Sequence, residues 1–176
     1  MSGSRFTPGA AVTERTRRLR KIWRAMTADE RVAAIRAAGP DGGAGLVTAL
    51  RGHLAKTLRV RPATVQSWGV PQIAESTLRA PLTEEVIADL LIAFHLTHRV
   101  PLLSAFLDAA EVPHTDGSIN PEFTVDLDEP RVRAAADAVL ASFPEHDCHI
   151  YFATLLALEG GAWTPLESLL DDSLKG

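Results

Sequence analysis

The stretch TEEVIADLLIAFHLTH, residues 83–98, decides the fold. Nine of the eleven residues in the range 86–96 are apolar. A helix that is apolar on nearly all sides belongs in the middle of a helical bundle. Thr83 stands in the position of an N-cap, and Glu84 and Glu85 place negative charge at the positive end of the helix dipole. This stretch therefore predicts a central buried helix over about residues 83–98.

Helical patterns on both sides of this stretch predict an all-α fold. Apolar residues recur at intervals of three and four, and prolines, glycines and capping residues separate the helical segments. We expect a single compact domain of about eight helices over residues 12–176, after a flexible start at residues 1–11. Residues 27–30 and 164–167 have the spacing of capping boxes, and Asp147 is a candidate cap. The only candidate strand is residues 124–127.

The charge of the chain is strongly polarised. Residues 1–61 contain thirteen Lys or Arg against four Asp or Glu, a formal charge of +9. Residues 62–176 contain five against eighteen, a formal charge of −13. Two interpretations stay open: the two parts neutralise each other within one domain, or the basic part meets an anionic partner such as nucleic acid, anionic lipid or an acidic protein.

Residues 12–26 predict a basic helix at the start of the domain. Its apolar residues have helical spacing and would dock it on the body of the protein: Leu19, Ile22, Trp23 and Met26. Its cations are available for a protein partner, and the candidate partner-binding residues are Arg15, Arg18, Lys21 and Trp23.

The stretch HLAKTLRVRPATVQSW, residues 53–68, raises the possibility of nucleic-acid binding. Two helices that cross closely need a small residue in the first and apolar residues around the turn and in the second. Residues of these types stand at suitable offsets: Ala55, Leu58, Val60, Val65 and Trp68. The stretch resembles the helix-turn-helix of repressor-like proteins.

That resemblance implies a recognition helix at residues 62–68. The residues that it would direct toward base edges are Arg61, Ala63, Gln66 and Ser67. Those that it would place near phosphates are Arg51, Lys56 and Arg59. Arg59 occupies the turn position usually taken by glycine, where the backbone is left-handed. The alternative from the same residues is an ordinary helical corner whose apolar side chains belong to the core.

Candidate reactive groups are few. Cys148 is the single cysteine, which excludes an internal disulfide and indicates a reducing compartment. It stands between His146 and His149 near a helix start, where a nucleophile is conceivable, but burial as a small apolar residue is the stronger interpretation. His95 and His98 have spacing that suits a shared metal, yet a hydrogen-bonded core histidine and a helix-end cap explain them better. We expect no metal and no cofactor.

A second resemblance carries no mechanism: FLDAAEVPHTDGSI, residues 106–119, resembles a segment of uncharacterised bacterial helical proteins. In the absence of a catalytic motif, we expect a non-enzymatic helical module that binds a protein partner, or alternatively a regulator that binds duplex DNA. The chain shows neither a signal peptide nor a window long enough to cross a bilayer, so we expect a cytoplasmic protein without a membrane partner. The sequence does not predict an oligomeric state.

Overall fold

Helices account for most of the chain in this computed structural model, which describes residues 8–39, 44–124 and 126–175. In chain order the elements are α1 (Pro8–Ala25), α2 (Ala28–Ala37), α3 (Ala44–Leu58), α4 (Pro62–Gln66), α5 (Val70–Ser76), α6 (Glu84–His98), α7 (Val100–Ala109), β1 (His114–Thr115), β2 (Ser118–Ile119), α8 (Glu129–Leu140), α9 (Glu145–Leu158) and a 3-10 helix (Gly161–Leu169). The predicted all-α fold is confirmed, with nine α-helices in the described ranges where about eight were expected.

The first helix starts earlier than expected. α1 begins at Pro8 instead of residue 12 and ends at Ala25. The expected flexible start at residues 1–11 falls largely outside the described part of the chain. The docking residues of α1 and the residue that follows it are 0–3% exposed, as their helical spacing predicts: Leu19, Ile22, Trp23 and Met26.

The central apolar helix is α6, which packs on α1 and α2 and also contacts α7 and α9. Its buried residues are Ile87, Ala88, Leu90, Leu91, Phe94 and His95. One stripe faces solvent instead: Glu85, Asp89, Ile92 and Leu96. These residues are three or four apart and so share one helical face. Ile92 is 43% and Leu96 39% exposed, so the expected burial on nearly all sides is wrong for this face.

α6 and α7 are consecutive helices that bend sharply where they meet. The angle between them is 89°, and only Arg99 separates them. In the described ranges no single helix is long and apolar enough to cross a membrane, although this bent pair reaches that length and apolarity when taken together.

Arg99 is the centre of a polar cluster that joins three parts of the fold. Its Nη2 donates to Glu30 Oε1 at 3.2 Å and to Asp147 Oδ1 at 2.9 Å. Glu30 Oε2 also lies 3.0 Å from His146 Nε2. Burial opposes ionisation of Glu30, but hydrogen bonds from His146 and Thr27 outweigh it and hold the pKa of this carboxyl below its ordinary value. The cluster therefore ties α2 and α9 to the junction of α6 and α7.

The capping predictions are correct in part. α2 has a full capping box: Thr27 Oγ1 accepts from the Glu30 N–H at 3.2 Å, and the Thr27 N–H donates to Glu30 Oε2 at 2.7 Å. Thr83 stands at the N-cap of α6, but its side chain makes no capping hydrogen bond. Asp147 does not cap α9, because that helix begins two residues earlier and the Asp147 carboxylate pairs with Arg99.

The second capping box, expected at residues 164–167, is wrong. These residues lie inside the 3-10 helix, and the Thr164 hydroxyl donates to the Gly161 carbonyl at 2.6 Å. Gly160 and Gly161 have φ of 58° and 50°, conformations that glycine adopts readily. They redirect the chain directly after α9, so it enters a short 3-10 segment instead of a capped α-helix.

A small hairpin covers one end of α7 within the connection between α7 and α8. β1 and β2 pair antiparallel around Asp116 and Gly117, which have φ of 49° and 82°. A Cβ on Gly117 would lie 2.6 Å from Leu103 Cβ, so only glycine fits against α7. The turn at these two residues agrees with their turn chemistry. The candidate strand at 124–127 is wrong for residues 124, 126 and 127, which are in no strand.

Candidate nucleic-acid interface

Helices α3 and α4 form a tight corner around apolar side chains. Leu54 on α3 and Val65 on α4 are fully buried. Ala55, Leu58, Val60 and Trp68 are partly buried and pack against the same core. These apolar positions, which the sequence singled out, thus hold the two helices together. Such packing serves both an ordinary corner and a DNA-binding one.

The turn between α3 and α4 has the left-handed residue that the sequence places at Arg59. Its φ is 54°. The next N–H, of Val60, reaches back to the Ala55 carbonyl at 3.1 Å, which is the bonding pattern of a Schellman motif. Arg61 then takes an extended conformation, with φ of −58° and ψ of 132°, and Pro62 opens α4. The chain therefore reverses within three residues of the end of α3.

Three cations stand free on this corner. Lys56, Arg59 and Arg61 are exposed, and their side chains make no ion pair or hydrogen bond with any residue that the structure describes. Gln66 is exposed beside them, and its side chain likewise makes no hydrogen bond with a described residue. Residues 42–74 contain no Asp or Glu at all, so no neighbour along this part of the chain offsets their charge.

Two residues expected at the nucleic acid also make hydrogen bonds within the fold. Arg51 Nη2 donates to the Trp68 carbonyl at 2.7 Å and so ties α3 to the end of the corner. The Ser67 hydroxyl donates to the Thr64 carbonyl at 2.7 Å. Arg51 was predicted near a phosphate and Ser67 near a base edge; both side chains are occupied by backbone carbonyls.

The groove between α3 and α4 is open. A cavity of about 270 Å³ lies along it, with Lys56 and Gln66 on its walls. α4 itself is only five residues long, because Gly69 caps the next helix. A helix of this length presents few side chains to a major groove, so Gln66 is the main candidate for contact with a base edge.

The basic charges of α1 are largely used within the molecule. Arg15 Nε lies 3.3 Å from Glu84 Oε1 on α6. Arg18 Nη2 lies 2.8 Å from Glu167 Oε1 in the 3-10 helix. Both carboxylates belong to the acidic part of the chain, so here the two parts of the sequence neutralise each other.

The other two candidate partner residues on α1 also face the protein. Lys21 Nζ donates to the Lys175 carbonyl at 2.5 Å. Trp23 is 3% exposed, and its indole N–H donates to Thr77 Oγ1 at 2.8 Å. Trp23 is therefore a core residue, and the expectation that it contacts a partner is corrected by its burial.

Cys148 is buried. Its thiol points toward the Val139 carbonyl at 3.7 Å. Burial, with the charge of Asp147 as a smaller cause, raises the pKa of the thiol to about 11. A thiol with that pKa is protonated at neutral pH.

His95 is a neutral histidine in the core, 3% exposed. Its Nε2 lies 3.2 Å from Thr154 Oγ1, and that hydroxyl donates to the Ile150 carbonyl at 2.7 Å. Burial lowers the pKa of His95 to about 3, with the Arg99 charge as a further cause. His98, by contrast, is exposed and packs on the ring of Phe94. Within the described ranges no three His, Cys, Asp or Glu side chains come together as metal ligands would.

Comparison with known protein families, with curated proteins and with solved structures finds no significant match to this chain. The resemblance to repressor-like proteins therefore stays a prediction that rests on the corner alone.

Arg59→Gly tests the turn. We expect its free energy of unfolding to rise by about 1 kcal/mol, because glycine relieves the cost of a left-handed conformation. Arg61→Gly is the matched control: Arg61 has no such strain, so glycine only adds entropy to the unfolded chain and lowers stability by about 0.5 to 1 kcal/mol. Urea unfolding measures both, and a loss of stability in Arg59→Gly would contradict the turn geometry.

His95→Gln tests the neutral core histidine. The folded pKa of about 3 is below the ordinary 6.5. As the pH drops through that interval, His95 binds a proton in the unfolded chain but stays neutral in the folded protein. The free energy of unfolding therefore falls as the pH drops. Above the range of the carboxylates, His95 should contribute a slope that rises from about 0.7 kcal/mol per pH unit at pH 6.5 to about 1.4 near pH 5.

Denaturant unfolding at a series of pH values measures this slope. It should shrink in His95→Gln and persist in His98→Gln, since His98 is exposed on the same helix. An equal slope in His95→Gln and the wild type would show that His95 is not the group concerned.

Proposed function

We propose that the corner of α3 and α4 binds duplex DNA. The observation that carries the proposal is the set of three exposed, unpaired cations Lys56, Arg59 and Arg61 on a surface without acidic neighbours in residues 42–74. Elsewhere Arg15 and Arg18 of α1 pair with acidic residues of the same chain, whereas no described residue pairs with Lys56, Arg59 or Arg61. A phosphate backbone is the natural counterpart of such a surface.

The three cations would contact phosphates and Gln66 would approach base edges. An amide side chain can both donate to and accept from a base, and Gln suits adenine in the major groove. Because α4 is short, most of the binding free energy would come from phosphates and sequence preference would be modest. Sequence-independent binding of this kind has dissociation constants of about 10⁻⁴ to 10⁻⁶ M at physiological salt.

A protein partner remains the other prediction from the sequence. The residues assigned to it on α1 make intramolecular contacts, which weakens that prediction relative to DNA. Binding to DNA has a physical signature that separates the two: affinity falls steeply and linearly, on logarithmic axes, as salt is raised.

Fluorescence anisotropy with a labelled mixed-sequence duplex of about 20 base pairs, from roughly 50 to 200 mM salt, tests the proposal. Three phosphate contacts predict a slope of log K against log salt of about −2.7. Lys56→Ala, Arg59→Gly and Arg61→Ala should each make the slope shallower by about 1. Gln66→Ala should leave the salt slope unchanged. It should reduce the difference in affinity between a duplex of preferred sequence and a scrambled duplex.

Arg133→Ala is the matched control. It removes the same charge from α8, where Arg133 pairs with Glu129 in the same helix at 2.7 Å, and the salt slope should stay as in the wild type. Absence of binding to the duplex, or binding that Lys56→Ala and Arg61→Ala leave intact, would refute DNA recognition by this corner.

A further inference from the structure

The exposed apolar side chains of the protein lie along one groove. In the described ranges three large apolar side chains are exposed: Ile92 and Leu96 on α6, and Phe123 in the connection that follows the hairpin. They line cavities that adjoin one another between α6, the end of α9 and the hairpin. Exposed apolar side chains that are gathered on one face, instead of scattered singly, mark an interaction surface.

Three adjoining cavities form this groove, which we name the α6 groove. The first, of about 220 Å³, shares Ile92 and Leu158 with a second, of about 500 Å³, beside the start of α6. It shares Ile119 with a third, of about 460 Å³, which Phe123 lines. A row of cavities that run into one another suits the apolar face of a peptide helix better than a compact small molecule.

The charge around the α6 groove is negative. Glu159 lines all three cavities, and Glu85 and Asp89 line the second. These three side chains are exposed and make no ion pair or hydrogen bond with a described residue. Arg15 is the single Lys or Arg among the described lining residues, and it is already paired with Glu84 at 3.3 Å. The unpaired carboxylates therefore repel an anionic occupant, such as nucleic acid or anionic lipid, and attract a cationic one.

A second copy of the chain is a poor occupant of the α6 groove. The exposed large apolar side chains that the structure describes all belong to this groove, so two copies could bury them together only by placing groove against groove. That arrangement would bring Glu85, Asp89 and Glu159 of both copies into one interface, where like charges disfavour association. The basic corner of α3 and α4 offers cations, but its apolar side chains pack against the core.

We propose that the α6 groove binds a cationic amphipathic helix of a protein partner. Apolar side chains on one face of that helix cover Ile92, Leu96 and Phe123. Lys or Arg side chains on its flanks pair with Asp89 and Glu159. This is the helix-in-groove mode of peptide recognition. The site does not depend on DNA binding, because the α6 groove shares no residue with the groove of α3 and α4.

Two synthetic helical peptides of about 18 residues, or five turns, form a matched pair of probes. Both have leucine at helical spacing on one face, while the other face has lysine in one peptide and glutamate in the other. Fluorescence anisotropy with the full chain should show the lysine peptide binding about tenfold more tightly, since three unpaired carboxylates line the groove. A lysine peptide of the same composition in scrambled order should bind more weakly, because its leucines share no face.

Substitutions in the groove separate specific docking from general attraction to an acidic protein. Asp89→Lys and Glu159→Lys should each weaken binding of the lysine peptide by about fivefold, because an attraction becomes a repulsion. Ile92→Ser should weaken it similarly, because apolar contact is lost. Asp137→Lys is the matched control: it changes the net charge equally, but Asp137 is exposed on α8, lines none of the three cavities and has no described partner, so binding should persist.

Amide NMR of the wild type locates the lysine peptide without relying on any variant. Titration should shift the amide resonances of Ile92, Leu96 and Glu159, because these residues line the groove. The amide resonances of α4 should stay in place, because that helix belongs to the separate basic corner.

Several results would overturn the proposal. They are absence of binding by the lysine peptide, equal binding of the lysine and glutamate peptides, and amide shifts confined to other surfaces. A dimer of the free protein that Ile92→Ser dissociates in sedimentation velocity would assign the groove to a second copy instead. Binding to phosphatidylcholine vesicles that Ile92→Ser abolishes would assign it to a lipid surface.

Discussion

The burial of α6 is the constraint on which the rest of the structure depends. Leu90, Leu91 and Phe94 are almost fully removed from water. Each such side chain stabilises the fold by about 1.5 to 3 kcal/mol relative to exposure, before the loss of chain entropy is counted. α1 and α2 pack on this helix, and α7 and α9 also contact it. The faces that remain open, the stripe of α6 and the corner of α3 and α4, are those where we place ligands.

The charge polarity of the sequence is resolved in two different ways. α1 brings Arg15 and Arg18 to carboxylates of α6 and the 3-10 helix, and Arg99 draws Glu30 and Asp147 together. Such pairs at a partly exposed surface add little stability individually, and their main effect is to cancel charge. The corner of α3 and α4 has no acidic residue close in sequence, so no sequence neighbour offsets the positive charge of its cations. The basic part of the chain thus contains a docking helix whose Arg15 and Arg18 are paired with distant carboxylates, and a corner whose exposed cations are unpaired.

The features that local physics controls were predictable from the sequence. The apolar run of α6, the capping box at Thr27 and the left-handed turn at Arg59 each follow from residues within a few positions of one another. The docking face of α1 followed from helical spacing in the same way. The sequence did not predict that Arg51 and Ser67 donate hydrogen bonds to backbone carbonyls brought close by the fold.

The features that depend on distant parts of the chain were not predictable. The pairing of Arg18 with Glu167 spans 149 residues, and no sequence pattern near Arg18 predicts it. The exposed stripe on α6 exists because no described element covers that face, which an apolar pattern cannot reveal. His95 was expected at the edge of the core with a hydrogen bond, yet its free Nδ1 appears only once α9 supplies Thr154.

Native-state hydrogen exchange of the α6 amides tests the central claim most directly. If the helix is the buried centre, the amides of Leu90, Leu91 and Phe94 should exchange only through global unfolding, with opening free energies equal to the stability from denaturant unfolding. The amides of α4, at the periphery, should open at lower free energy. Exchange of the α6 amides at the low free energies of α4 would contradict the account, since a helix that opens alone cannot be what the other helices are built around.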